Sequence, residues 1–265
     1  MRRMLGVLIL LAGCGASAEF KQARHYEKVG RLFEAVRVYE RFIARHPEDA
    51  RVSEARVRTA RIYAQKMDLC EKAVPHFERA ARAADSGWSE DAKLGLLTCP
   101  DFFPLYDGAQ WTYVDSLSGG VNMRLEVRIK KSSANVSGRV AGAYYAGKIK
   151  FRDYRRSYEK KGWTVWEFDG TTNLPILRWP YRKGQSWEHR VKKDRYRYRI
   201  VADNLRVRTK GGRFKGCLKV KEHKLGFPSW VYNYYCPGVG RVKTTIGVPG
   251  VENPNTELAK YRAAT

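Results

Sequence analysis

The apolar residues of this chain change their spacing at Pro100-Asp101, and the two spacings belong to different kinds of structure. Before that point Tyr26, Val29, Leu32 and Phe33 are followed by Val36, Tyr39, Phe42 and Ile43, intervals of three and four that line one face of a helix. Gly and Pro are sparse from Glu19 to Cys99. Beyond Pro100 the apolar residues are β-branched or aromatic, alternate with polar ones and are interrupted by Gly, which is the texture of short strands. Turn signals such as Ser118-Gly119-Gly120, Lys161-Gly162 and Lys210-Gly211-Gly212 suit hairpins, so the sheet is expected to be antiparallel. The fold class that follows is α+β, with helical-repeat hairpins leading into a curved antiparallel sheet or half-barrel. Helices are predicted over 52–65, 69–84 and 89–98 in the second part of the helical region, and strands over 110–115, 121–130, 135–140, 143–154, 157–160, 164–169, 174–179, 186–192, 196–202, 205–209, 214–223, 229–236 and 240–247. The domain limits read from these patterns are 19–99 for the helices, 100–250 for the sheet and 251–265 for a C-terminal tail.

The N-terminus carries a different signal. Arg2 and Arg3 precede an apolar core from Leu5 to Leu11, and the small pair Ala12-Gly13 stands directly before Cys14. Leu11-Ala12-Gly13-Cys14 resembles the processing site of bacterial lipoproteins. The resemblance implies that 1–13 is a signal peptide, that Cys14 becomes the first residue, and that it carries a diacylglycerol on sulfur and a further acyl chain such as palmitate on nitrogen. The apolar core is well under half of the roughly 20 residues a spanning helix requires, so an anchored chain is expected rather than a threaded one. Gly15 follows the cysteine instead of Asp, which points to the outer membrane, facing the periplasm. An ordinary secretory peptide cut near Ala16 or Ala18 is the alternative. Residues 14–18 are read as a tether, and at about 3.4 Å per extended residue they keep the helices within roughly 15 to 20 Å of the lipid surface.

Charge is unevenly distributed. Residues 1–100 hold 18 Lys/Arg against 13 Asp/Glu, a surplus of +5, and the remainder supplies +19 of the formal +24. The basic character therefore belongs to the β region. Once the signal is removed four cysteines remain, an even number suited to an oxidising compartment. Their order favours Cys70 with Cys99 and Cys217 with Cys236, one bridge per domain, with free buried thiols as the alternative.

The helical region repeats itself. Ala23-x-x-Tyr26 recurs as Ala60-x-x-Tyr63, and Glu34-Ala35-Val36-x-x-Tyr39-Glu40-Arg41 recurs as Glu71-Lys72-Ala73-Val74-x-x-Phe77-Glu78-Arg79. This resembles tetratricopeptide repeats, particularly those of bacterial outer-membrane assembly lipoproteins. The resemblance implies close helix crossings at Ala23, Ala60, Ala35 and Ala73, and a groove whose contacts to an envelope protein partner include Tyr26, Arg61 and Tyr63. The large aromatic usual early in the first helix is missing from the first repeat, and Phe42 stands where a small residue is commoner. A fifth helix stacked against the first helix of the second repeat places Cys99 near the turn holding Cys70. Two repeats and one helix leave an open face that a following domain or a partner must cover.

In the β region Pro104-x-x-x-Gly108-x-x-Trp111 recurs as Pro180-x-x-x-Gly184-x-x-Trp187, which suggests two similar layers or a duplicated half. Phe103-Pro104-Leu105-x-x-Gly108-x-x-Trp111, Phe214-x-x-Cys217-x-x-Val220 and Tyr235-x-Pro237-Gly238-Val239-Gly240-x-Val242 resemble a recurrent exported β domain of unassigned function. That resemblance implies a curved antiparallel sheet like those of periplasmic lipoprotein carriers. Alternation along three segments puts Arg197, Arg199, Arg206, Arg208, Lys219 and Lys221 on one face. That face is either solvated or a docking surface for anionic lipid, lipopolysaccharide, cell-wall carboxylates or an acidic protein. Export argues against nucleic acid.

No catalytic constellation emerges. The five histidines show no HExxH or HxH spacing, and GxSxG, Walker and GxGxxG sequences are absent. Paired CxxC spacing is absent too, so no metal is expected, and no cofactor. The function read from the sequence is a non-enzymatic outer-membrane lipoprotein, anchored to the membrane by lipid, that serves a cell-envelope assembly through protein interaction. The alternative is a carrier or sensor holding a lipidic or anionic ligand on the curved sheet.

Overall fold

The computed structural model describes residues 5–83 and 87–264, with side chains from residue 15 onward. The chain divides into two compact units at Cys99/Pro100. The first holds α1 (Leu5–Lys28), α2 (Leu32–Arg45), α3 (Val52–Arg61), α4 (Cys70–Ala81) and α5 (Ser89–Leu97). Each helix packs on the next, and α5 also reaches α3. The small residues that recur in the repeat, Ala23, Ala35, Ala60 and Ala73, are all fully buried, as are Tyr39 and Phe77. Close approach is strictest between α4 and α5, where a β-carbon on Gly95 would sit 2.4 Å from the Phe77 ring. The Cys70–Cys99 disulfide joins the start of α4 to the chain two residues past the end of α5.

Two expectations for this unit change. Residues 15–18 are not an extended tether: they lie inside α1, and Ala16 and Phe20 belong to the core shared with α2. At 1.5 Å rise per residue the four span about 6 Å. The helix predicted over 52–65 breaks its α pattern after Arg61 and continues as a single π turn, Ile62–Lys66. Cys14 falls among the side chains outside the described residues, so its acylation stands as read from the sequence. No helix among the described residues is long and apolar enough to cross a membrane.

The second unit is one 12-stranded sheet: β1 (Gln110–Asp115), β2 (Arg124–Ser133), β3 (Ser137–Ala146), β4 (Ile149–Lys161), β5 (Thr164–Phe168), β6 (Asn173–Arg178), β7 (Ser186–Val191), β8 (Asp194–Thr209), β9 (Gly212–Lys224), β10 (Trp230–Cys236), β11 (Gly240–Val248) and β12 (Val251–Arg262). Every pairing is antiparallel and joins neighbours in sequence, except that β12 returns to pair with β1. The meander is thus a ring open only between β6 and β7, a nearly closed barrel rather than a half-barrel. Across that gap the Trp187 indole N–H donates to the Pro175 carbonyl at 2.6 Å. Proline, which lacks an N–H, suits an edge strand.

Segment 251–265, expected as a tail, forms β12 and closes the ring. Its polar start, Glu252-Asn253-Pro254-Asn255, hid the strand from a reading based on alternation. The predicted pieces 196–202 and 205–209 are one bent strand, β8, interrupted by register shifts between Ile200 and Val207. The boundary placed between 140 and 143 moves to Gly147, whose positive φ turns the chain into β4.

The Trp echo is structural. Trp111 and Trp187 head β1 and β7, six strands apart. In the first half Gly108 N–H donates to Ile129 O, and Ile129 N–H to Ala109 O. The second half repeats this with Gly184 to Ile200 O and Ile200 to Gln185 O. Each copy seats a buried Trp at the mouth of a six-strand meander.

Candidate functional site

The barrel has unlike ends. Odd-numbered strands begin at one end and even-numbered strands at the other, so the β2–β3, β4–β5 and β10–β11 turns gather where the entering segment 100–109 passes. That segment closes this end. Asp101 accepts from Lys160 Nζ at 3.0 Å and from Asn135 Nδ2 at 2.7 Å, while Asn135 Oδ1 accepts from Lys160 and from the Leu105 N–H. The Lys160 side chain is 0% exposed, and burial pulls its ammonium below the usual lysine range against the opposing pull of Asp101. The neighbouring Pro237-Gly238-Val239-Gly240 turn is tied in by Gly238 N–H to Asp101 O and by Trp111 Nε1 to Val239 O. Gly240, at φ +93°, has Pro104 at 3.6 Å from where a β-carbon would stand.

This turn delivers Arg241 into the barrel. Tyr113, Tyr154, Tyr158 and Tyr235 surround it, the Tyr113 hydroxyl donating to the Arg241 carbonyl at 2.8 Å. Its guanidinium makes no ion pair among the described residues; the inward-facing pairs go to Arg156–Glu167 at 3.5 Å and Lys160–Asp101. Glu167 also accepts from the Tyr158 hydroxyl at 2.7 Å. Glu222 accepts from Asn233 Nδ2 at 3.1 Å, and burial, then repulsion from Glu167, raises its carboxyl above the usual range. Burial likewise lifts the Tyr154 phenol to about 12.

A cavity of about 300 Å³ opens above Arg241, walled by Tyr113, Met123, Leu125, Tyr144, Leu174, Ile176 and Val231, with Glu167, Glu222, Asn233, Thr244, Asn255 and Thr256 between them. Below it, toward Phe103 and Leu105, only about 40 Å³ remains. The space is therefore a cup, open at one end and floored by Arg241 and tyrosines. It can hold a small ligand whose anionic group meets the guanidinium and whose apolar part lies along Leu125, Leu174 and Ile176. Among the described residues no group of His, Cys, Asp and Glu is arranged to hold a metal.

The residues singled out from the sequence lie elsewhere. Tyr26 has the Arg31 guanidinium 4.9 Å from its ring, Tyr63 donates to Glu40 at 2.8 Å, and Arg61 pairs with Asp91 of α5 at 3.0 Å. Each has its own partner within the helical unit, and Arg61 and Tyr63 turn to different helices. The expected single basic face is divided by the shifts in β8. Arg199 faces Lys221 directly across β8–β9, and with Arg197, His223 and Tyr232 they line a groove of about 320 Å³. Lys219 pairs with Glu252, and Arg206 and Arg208 lie on the far half of the hairpin, where Gly211 N–H donates to Leu258 O of β12 at 2.8 Å. The Cys217–Cys236 disulfide fastens that hairpin to β10.

In the sequence Arg241 reads only as a member of the predicted strand 240–247, without a role. The signal available was its place directly after the Pro237-Gly238-Val239-Gly240 turn, at the head of a predicted strand.

No protein-family model matches the sequence, and no curated protein matches it. Two solved structures are similar over 61% of this chain and 98% of their own. One, from Parabacteroides distasonis, is classed as a lipoprotein (13% identity, TM-score 0.39). The other, from Bacteroides fragilis, is classed as an exported protein with a YmcC-like fold (15% identity, TM-score 0.39).

Proposed function

We propose that this chain is a non-enzymatic lipoprotein of the outer membrane, anchored through acylated Cys14 and facing the periplasm, whose barrel holds a small amphipathic ligand with an anionic group. The observation that carries the reading is Arg241: a half-buried arginine inside the barrel that makes no ion pair among the described residues, at the floor of an open cup with apolar walls. A buried charge is costly unless it is paired, and a carboxylate or phosphate on the ligand supplies the pair. The cup is at the lower end of the volumes that small-molecule sites occupy. The test is titration of the purified chain with dansylated undecanoate, an anionic amphiphile that brightens on leaving water. Saturable binding at one site per chain is expected; a linear, unsaturable rise overturns the reading.

The helical unit serves a second role in this proposal. Val29 and Phe33 are exposed beside Tyr26 at the α1–α2 turn, an arrangement suited to an envelope protein partner. Crosslinking in cells should lose that partner when Val29 and Phe33 are both replaced by Asp, and an unchanged crosslink pattern would refute the role.

A further inference from the structure

The open end of the barrel carries nearly all of the exposed large apolar side chains of the β unit. Five connections at this end each present one or more: Leu117 and Val121 between β1 and β2, Ile149 at the start of β4, Phe168 at the end of β5, Phe227 between β9 and β10, and Val251 at the start of β12. Leu117 is 85% exposed and Ile149 72%. The sixth connection, between β7 and β8, is Lys192-Lys193. Among the described residues the turns at the closed end present none, and the entering segment adds only Tyr106. Single exposed apolar residues are ordinary, but their confinement to one rim is not.

The rim also holds more lysines and arginines than acids. Its acids are committed locally: Asp115 accepts from the N–H groups of Ser118, Gly120 and Met123, Asp169 from those of Thr171 and Thr172, Asp153 pairs with Lys150 and Asp194 with Lys224. Lys148, Lys192 and Lys193 make no ion pair among the described residues, and Arg152 lies 4.2 Å from the Tyr144 ring centroid. The rim is thus an apolar ring studded with unneutralised cations.

We infer that this rim docks on an anionic lipid bilayer, its apolar side chains entering the interface and its lysines meeting the headgroups. Apolar insertion combined with cationic attraction is how peripheral proteins hold to anionic membranes. The apolar ring is continuous with the cavity wall through Met123 and Leu125, so a bilayer covering the rim also gives an amphiphile an unbroken apolar path to the cup. The inference rests on the rim alone and survives an empty cup.

The test uses the mature chain from position 14 carrying Cys14→Ser, so that no acyl chain contributes, floated with vesicles of phosphatidylcholine alone or of phosphatidylcholine with one quarter phosphatidylglycerol. Flotation with the mixed vesicles, weakening as salt rises, is expected. Replacing Leu117, Phe168 and Phe227 together by Asp should lower the apparent partition at least about tenfold, a loss of the size expected when several inserted side chains are removed. Lys148→Glu with Lys192→Glu and Lys193→Glu should abolish the preference for anionic lipid. Tyr106→Asp at the closed end should bind as the parent does. Near-ultraviolet circular dichroism confirms that each variant is folded. Failure of the parent to float, equal binding to both vesicle types, or parent-like binding by the rim variant would overturn the inference, and the first result would leave a protein as the rim's occupant.

Discussion

Lys160 and Arg241 are both cations withdrawn from bulk water, and the barrel treats them oppositely. Lys160 is met by Asp101 and Asn135, which spend it on closing one end. Arg241 is ringed by tyrosines and left facing open space. Glu222 completes the contrast, because burial and Glu167 raise its carboxyl above the ordinary glutamate value. A carboxyl whose folded value lies above its unfolded one binds its proton more tightly in the native state, so stability falls as pH rises from about 4.5 through the raised value. Asp49 and Asp115, held at about 2 by Arg51 and by Ser118 respectively, act in the other direction: what they contribute is present above the ordinary Asp range and is lost as pH falls toward 2. Glu222→Gln should therefore flatten the decline in thermal midpoint as pH rises above about 4.5 and leave the acid limb untouched. If parent and variant decline in parallel across that range, Glu222 is not the strained group described. Residues of this kind were the least legible in the sequence. Asn135 and Arg241 read only as members of strands 135–140 and 240–247, because their partners come from distant strands.

The elements were more legible than the residues they position. Periods of three to four and of two separated helices from strands, the cysteine order matched the bridges that form, and the paired Pro-Gly-Trp motifs correspond to the heads of β1 and β7. What alternation could not reveal was closure. Ring formation depends on β12, whose first residues are polar, and on a seam between β6 and β7 made by side chains rather than by ladder hydrogen bonds. Trp187 is central to that seam: buried, stacked on Tyr198 with ring centroids 5.4 Å apart, and bonded to Pro175. Trp187→Ala should cost about 3–5 kcal/mol, as deletion of a buried aromatic does, and should speed amide exchange in β6 and β7 before the rest of the sheet. Uniform acceleration across all strands would mean that the barrel has no seam.

The molecule as a whole combines a helical unit, whose first helix already contains position 14, the proposed acylation site, with a barrel open at a single end. Glu167 and Glu222 line the cup with Arg241, and among the described residues the Arg241 guanidinium makes no ion pair while Glu167 is paired with Arg156. An anionic ligand supplies the missing partner in the proposed reading. The direct measurement is the titration of dansylated undecanoate into the parent and into Arg241→Met side by side, with folding verified by thermal melting. The account predicts saturable binding by the parent and affinity weakened by at least about tenfold in the variant, the scale of losing one charged hydrogen-bonding partner. Equal affinity in the two proteins would contradict it.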